Sequence, residues 1–361
     1  MKCSADLFLL NGGLIIKPKK LQPGDKVATI SLSWGGPGTF PQRYEAGKRQ
    51  LQKEFGLNVV ETPHALRDAE WLHKNPRARA DDLMNAFADP SIKAIISTIG
   101  GDDSIRLFPY LDLNVIRSNP KIYMGYSDAT TTHAACFKAG LVSFYGPTIM
   151  SGFAENTGVF PYMADSVRKS LFSSAPVGKV KHNVDGWTVE MLDWGNLENQ
   201  TIKRRLSPTT GWKYLQGTGI HRGHLLGGCL DVLEFLRGTD LWFPPDAWQN
   251  AILFLETSED APPPNALKYA LRSYASMGIL KRLSGILFGR PGGAIPPERF
   301  AEYDKVFRLV VTEEEGLLEL PIITNMDFGH TDPMFVLPYG VKAEIDCDTQ
   351  CFSILENAVV D

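Results

Sequence analysis

Three side chains in this sequence have the types that acyl transfer needs, and each stands where an apolar run gives way to a turn. Gly125-Tyr126-Ser127-Asp128-Ala129 is the sharpest local signal. An apolar run feeds Ser127, and Ala129 to Lys138 reads as a helix. That is the layout of a nucleophile elbow, a tight strand-to-helix turn that lifts a serine hydroxyl off the sheet and needs small neighbours. Ala129 stands where the pattern usually ends in glycine, and it is still small. The helix start offers oriented N–H groups, so the Asp128 amide is a candidate oxyanion donor. A plain helix cap is the competing reading of Ser127, because serine is favoured there.

Glu256 closes the apolar run Ala251 to Leu255 and precedes Glu259, Asp260 and three prolines. A carboxylate at such a strand end faces either solvent or a site. His330 follows Gly329, just after the strand Ile322 to Met326. His133 is the other candidate base, but it lies six residues past Ser127 on the predicted helix and points away from the elbow. Gly100-Gly101-Asp102-Asp103 ends a third apolar run, Ile92 to Ile99. Ligands of an open α/β sheet bind outside the carboxyl ends of its strands. The Gly101 amide is therefore the second candidate oxyanion donor, against a simple β–α turn. No Lys-Ser or Lys-Thr follows the glycines, as a phosphate loop would require. A serine nucleophile needs an imidazole to take its proton and a carboxylate to hold that imidazole in the right tautomer. Ser127, Glu256 and His330 supply these in the order Ser, acid, His; their convergence depends on the fold, not on the spacing.

The elements that would position them alternate. Lys26 to Ser31, Asn58 to Glu61, Ile92 to Ile99 and Lys121 to Met124 read as strands, with helices through Arg43 to Phe55 and Asp81 to Ala88. Such alternation with apolar strands predicts a doubly wound parallel sheet covered on both faces. The second half is again mixed. Helices are predicted at Cys229 to Leu236, Ala266 to Leu280 and Pro297 to Val311, strands at Ala251 to Leu255, Gly285 to Phe288 and Ile322 to Met326, and a hairpin after Val341. Residues 16–175 are expected to form the nucleophile domain, 176–215 a linker with irregular strands connecting the two domains, and 216–361 the domain carrying Glu256 and His330. Residues 1–15 read as a leader or extension, because the apolar patch Leu7 to Leu10 is too short for a secretory h-region and follows Asp6.

Composition excludes several classes. The chain has 361 residues, 37 Lys+Arg against 41 Asp+Glu, and a net charge of -4, which leaves no electrostatic footprint for a nucleic acid polymer. No apolar run approaches a membrane span of about 20 residues. Five scattered cysteines are no disulfide framework, which fits a cytoplasmic protein. Cys347 and Cys351 lack the zinc-knuckle spacing, and His221 with His224 has no further ligand pattern, so no metal is expected.

In combination these segments resemble a known family. They are Lys17 to Asp25, Ile95 to Asp102, Met124 to Thr130, Gly227-Gly228-Cys229-Leu230, Phe254-Leu255-Glu256-Thr257 and Asn325 to His330. From residue 17 to 361 the chain resembles the LD-carboxypeptidase family of serine peptidases, and within it the microcin C self-immunity branch. The resemblance implies a Ser127-Glu256-His330 triad and an oxyanion hole from Gly101 and Asp128. It implies an N-terminal domain like class I glutamine amidotransferases, a smaller β-rich α/β C-terminal domain, and an active site between them. It also implies a homodimer with no metal or organic cofactor. The substrate would be a small molecule, an aminoacyl or peptidyl group joined to a nucleotide-like moiety. The other branch of the family removes the terminal D-Ala of murein tetrapeptides. Trp187, Trp194 and Trp212 are candidates to stack a nucleobase, against ordinary packing. A non-catalytic small-molecule binding protein, with Ser127 only a cap, is the alternative from another class.

Overall fold

The computed structural model describes residues 9, 10 and 13–361, with side chains from residue 15 onward. The extension expected at 1–15 therefore lies largely outside the described residues; within it β1 (Leu9–Leu10) pairs antiparallel with β2 (Gly13–Leu14). The first sheet is built from β3 (Lys26–Ile30), β4 (Asn58–Glu61), β5 (Ile92–Ser97), β6 (Ile122–Gly125) and β7 (Phe144–Tyr145). They run parallel in the order β4-β3-β5-β6-β7. Val27, Ala28 and Ile30 of β3 and Ala94, Ile95 and Ile96 of β5 are all buried, as strands covered on both faces must be. Helices Pro41–Phe55, Pro76–Ala88 and Thr130–Lys138 return the chain between them. The strand order reverses between β3 and β5, which opens a crevice at their carboxyl ends.

The second sheet holds β8 (Gly178–Val180), β9 (Lys213–Gln216), β10 (Ile220–Cys229), β11 (Ala251–Glu256), β12 (Gly285–Gly289) and β13 (Ile322–Met326). After β14 (Leu337–Pro338), it is completed by β15 (Lys342–Asp346) and β16 (Cys351–Ile354). Its order is β8-β16-β15-β10-β11-β12-β13-β9, with β10 to β13 parallel and antiparallel strands on both flanks. β14 crosses back to the first sheet, where Leu337 pairs with Tyr145. The fold is thus α/β with two sheets.

Some elements differ from expectation. The irregular strands expected within 176–215 belong to the second sheet rather than to a separate linker: β8 forms one edge, and β9, which begins within the segment, forms the other. These strands have three and four residues and half-buried side chains, too short for alternation to announce them. The helix expected over Pro297 to Val311 is a 3₁₀ turn, an α-helix at Phe300–Phe307 and a π-helical stretch at Arg308–Glu314. Among the described residues no helix is long and apolar enough to cross a membrane.

The two sheets meet end to end. The Thr130 hydroxyl donates to the Ser127 carbonyl (2.8 Å) and accepts from the Cys229 amide (3.2 Å), so one side chain ties the elbow to the end of β10. Gly228, at φ +140°, makes this approach possible: a Cβ there would lie 2.5 Å from Thr130 Cγ2. The carboxyl ends of β5, β6, β11 and β13 consequently border one crevice.

Candidate active site

β6 ends at Gly125, and the chain turns through the 3₁₀ segment Ser127–Ala129 into the helix Thr130–Lys138. Ser127 has φ +63°, a left-handed conformation rare for a residue with a Cβ, which costs on the order of 1–3 kcal/mol and persists only where the surroundings hold it. Here they do. The Ser127 amide donates to the Tyr145 hydroxyl (3.0 Å), and its carbonyl accepts from Thr130. Ser127 is buried, yet it borders a cavity of about 1130 Å³. Among the described residues its hydroxyl has no hydrogen-bond partner.

Glu256, the last residue of β11, has no exposure at all. One of its oxygens accepts from His330 Nδ1 (2.7 Å) and the other from the Tyr145 hydroxyl. His330 follows β13 in the turn Asp327-Phe328-Gly329. Gly329 has φ +92°, and a Cβ there would lie 2.6 Å from Glu256 Oε2; glycine is what lets the imidazole reach the carboxylate. The other ring nitrogen, Nε2, faces Glu259 Oε2 at 2.9 Å. Burial opposes charge on His330, but the Glu256 and Glu259 carboxylates outweigh it and push the imidazole up to about 10. The hydrogen bond from His330 in turn holds Glu259 down to about 2. The Tyr126 ring packs against the imidazole, with centroids 4.8 Å apart. The structure therefore brings Ser127, Glu256 and His330 to one crevice. Tyr145 and Glu259 join them, and no sequence pattern singled out either role.

The candidate oxyanion donors flank the serine. A Cβ on Gly100 would lie 2.9 Å from Ser127 Oγ and 3.6 Å from the Asp128 amide nitrogen, so the glycine turn passes directly over the hydroxyl. Gly101, at φ +138°, lies against Ser33, whose hydroxyl accepts from the Asp103 amide. Asp128 is buried, and its carboxylate accepts from the Ser104 amide (2.9 Å), which pins the start of the helix. Burial raises that carboxyl above its ordinary range.

The tryptophans divide. Trp194 borders the cavity, edge-on to Phe40 and beneath the Arg43 guanidinium (4.9 Å). Trp187 and Trp212 do not border it. Trp187 packs under Arg290 (4.9 Å), and Trp212 Nε1 donates to Asp327 Oδ2 (2.7 Å). Both brace the buried Arg290–Asp327 ion pair (2.7 Å) beneath the turn that carries His330. They are packing residues because each has a polar partner inside the fold, which spacing could not reveal. Trp34 and Phe40 instead complete the aromatic wall with Trp194.

The remaining candidates sit elsewhere. His133 is buried behind the sheet, with Nε2 donating to the Gly125 carbonyl (2.9 Å) and Nδ1 accepting from Ser143 (2.8 Å). Burial drives its pKa down to about 3, so it is a neutral core residue. His221 and His224 each turn Nε2 to a backbone carbonyl. Of the arginines, Arg79 and Arg106 pair with Asp103. The cationic side chains bordering the cavity are instead Arg43, which bonds Gln200 (3.0 Å) and Asn156, and Arg204, paired with Glu155 and Asp332. Among the described residues, the only trio with ligand atoms close enough for a metal ion is Cys229, Glu256 and His330, within 4.8 Å. Its imidazole and carboxylate are already bonded to each other.

Residues 27–146 match the LD-carboxypeptidase N-terminal domain and residues 222–345 the LD-carboxypeptidase C-terminal domain. The putative carboxypeptidase YocD of Bacillus subtilis is 30% identical, over 91% of this chain and 95% of its own. A solved MccF-like protein from Streptococcus pneumoniae, in complex with AMP, superposes with a TM-score of 0.82. It is 29% identical, over 91% of this chain and 98% of that one. The microcin C7 self-immunity protein MccF, in complex with aspartyl sulfamoyl adenosine, superposes with a TM-score of 0.79. It is 27% identical, over 96% of this chain and all of that one.

Proposed function

The chain belongs to the LD-carboxypeptidase family and is a serine carboxypeptidase-type hydrolase; from that premise we propose that Ser127, His330 and Glu256 are its triad and that it cleaves an aminoacyl or peptidyl group from a nucleotide-like moiety. The observation that carries this reading is the buried Glu256–His330 pair facing the same cavity as a serine held at positive φ. Ser127 Oγ attacks the acyl carbon, and its proton passes to His330 Nε2 as the C–O bond forms. Glu256 keeps Nδ1 protonated and stabilises the imidazolium. The amides of Gly101 and Asp128 receive the oxyanion, a contribution of about 3–4 kcal/mol per donor in comparable sites. His330 then returns the proton to the leaving nitrogen as the C–N bond breaks. Water enters and repeats the sequence on the acyl-enzyme, freeing the acid and the serine.

The nucleotide-like half of the substrate is supported by the aromatic wall of Trp34, Phe40 and Trp194. Stacking on such a wall is worth about 1–3 kcal/mol per base. Solved relatives hold AMP and aspartyl sulfamoyl adenosine. A cytoplasmic homodimer belongs to the same proposal, and sedimentation tests the oligomeric state.

The test is hydrolysis of an aminoacyl sulfamoyl adenosine by wild type and by Ser127→Ala, beside a murein tetrapeptide ending in D-Ala. Release of the amino acid by wild type alone supports both triad and substrate. Cleavage of the tetrapeptide alone moves the substrate to the murein class. Turnover by Ser127→Ala equal to wild type overturns the triad. No turnover and no labelling of Ser127 by a serine-directed phosphonate would make the chain a binding protein.

A further inference from the structure

The proposed base does not face its nucleophile alone. His330 Nε2, the nitrogen that must take the Ser127 proton, is covered by Glu259 Oε2 at 2.9 Å. A ring nitrogen that donates to a carboxylate has no lone pair for an incoming proton. For the chemistry above, Glu259 must leave His330.

We propose that Glu259 is a specificity-determining residue: it leaves His330 Nε2 to pair with a cationic group on the acyl residue of the substrate, so that acyl residues bearing an ammonium or guanidinium are preferred. This inference rests on the proposed roles of Ser127 and His330.

Four observations carry it. First, the Glu259 side chain is 67% exposed, so its carboxylate can turn to a partner in the cavity without unpacking the core. Second, the loop beneath it is fixed. The Ser258 amide donates to Asp231 (3.2 Å), the Gly292 amide donates to Thr257 (2.9 Å), and Gly293 lies against the Glu259 carbonyl. Rotation of one side chain, not movement of the loop, uncovers Nε2. Third, among the described residues the cavity offers the carboxylate no free cation to move to. Apart from His330, the cationic side chains bordering the cavity are Arg43 and Arg204, both engaged with other partners, whereas Asp231 and Asp260 border it beside Glu259. Fourth, Ser258, only 8% exposed, borders the same cavity, and its buried hydroxyl has no hydrogen-bond partner among the described residues. Leaving a buried hydroxyl unpaired is unfavourable, and an N–H of the bound cation would satisfy it. A substrate ammonium at this corner would find carboxylates and an acceptor hydroxyl, and would uncover the base as it binds.

The cation has two possible sources, the acyl residue's side chain or its α-amino group. The experiment measures kcat/KM for lysyl, norleucyl and glutamyl sulfamoyl adenosine, each with the α-amino group free and acetylated. Wild type is expected to favour the cationic member of a pair about tenfold, the scale of one charge-assisted hydrogen bond. A lysyl-over-norleucyl preference assigns the side chain, and loss of rate on acetylation assigns the α-ammonium. In Glu259→Gln the preference falls to about onefold. The rising limb of kcat/KM against pH also moves to lower pH. Two carboxylates face His330, Glu256 from β11 and Glu259 from the following loop, beside the neutral Tyr126 ring and the Cys229 thiol, and the variant removes one charge. A merely structural residue would move neither the ratio nor the limb. Equal rates for charged and neutral acyl residues, a preference for glutamyl, or an unchanged ratio and limb in Glu259→Gln overturns the inference. Hydrolysis of none of the compounds by wild type fails the proposed function itself, a result distinct from hydrolysis without charge preference.

Discussion

Tyr145→Phe removes one oxygen from the centre of the site and leaves the ring. The Tyr145 hydroxyl accepts the Ser127 amide at 3.0 Å and donates to Glu256, so it joins the proposed nucleophile's backbone to the carboxylate proposed to orient the base. Glu256 has no exposure, so water cannot replace the lost donor. A hydrogen bond to a buried charge is worth about 1.5–3 kcal/mol, and the amide of Ser127 loses its acceptor in the same step. The ring's contacts with Phe254 (5.4 Å) and Tyr339 (6.4 Å) survive the substitution, so no cavity term is added. We expect kcat/KM to fall about thirtyfold, equivalent to about 2 kcal/mol, with KM little changed. Steady-state kinetics on the acyl sulfamoyl substrate measures the loss. A double-mutant cycle with Glu256→Gln separates positioning from general damage. If Tyr145 acts through Glu256, the double variant is little worse than Glu256→Gln alone, a coupling of at least about 1 kcal/mol. Wild-type kcat/KM in Tyr145→Phe, or strictly additive losses, would refute the reasoning.

Gly329→Ala places a Cβ 2.6 Å from Glu256 Oε2 at φ +92°; kcat/KM should drop at least about 100-fold and the urea midpoint should fall by the equivalent of about 1–3 kcal/mol, and an unaffected variant would sink the account of the turn. Trp194→Ala should weaken AMP binding about 5- to 100-fold by calorimetry, whereas Trp187→Phe, away from the cavity, should leave AMP affinity within about twofold. His330 is held above its unfolded value of 6.5 up to about 10, so the stability it contributes is complete below about pH 6.5 and is lost as pH rises through about 10. Urea unfolding of wild type against His330→Gln at pH 6, 8 and 10 should show the difference shrinking, and a difference that grows with pH would contradict the assignment. The kcat/KM of wild type should rise over the same alkaline range, because only the neutral imidazole accepts the serine proton.

Much of this protein is local in origin. The parallel strands β3, β5, β6, β11 and β13 read directly from apolar runs, because a strand covered on both faces has no polar side to hide it. The elbow read as well, since a left-handed serine between a strand and a helix needs Gly125 and Ala129 beside it. The bounds and pairing of β8 and β9, and the existence of β14, did not read: two to four residues carry no period, and their ladders are made with distant segments. Trp187, Trp194 and Trp212 looked alike in sequence, and only Trp194 borders the cavity. The other two are turned inward by Arg290 and Asp327, whose ion pair joins residues 37 positions apart.

Residue types and short-range pattern thus determined which groups could perform acyl transfer and that each lies at or just after a strand end. Tertiary structure decided that they meet. It brought β6 and β11, in different sheets, to one crevice through Thr130, Gly228 and Tyr145. It also set Glu259 on His330, a contact governed by the direction of one side chain after a strand end. Local sequence sets backbone conformation through short-range sterics and burial pattern, whereas a hydrogen bond across two sheets depends on how their ends are docked.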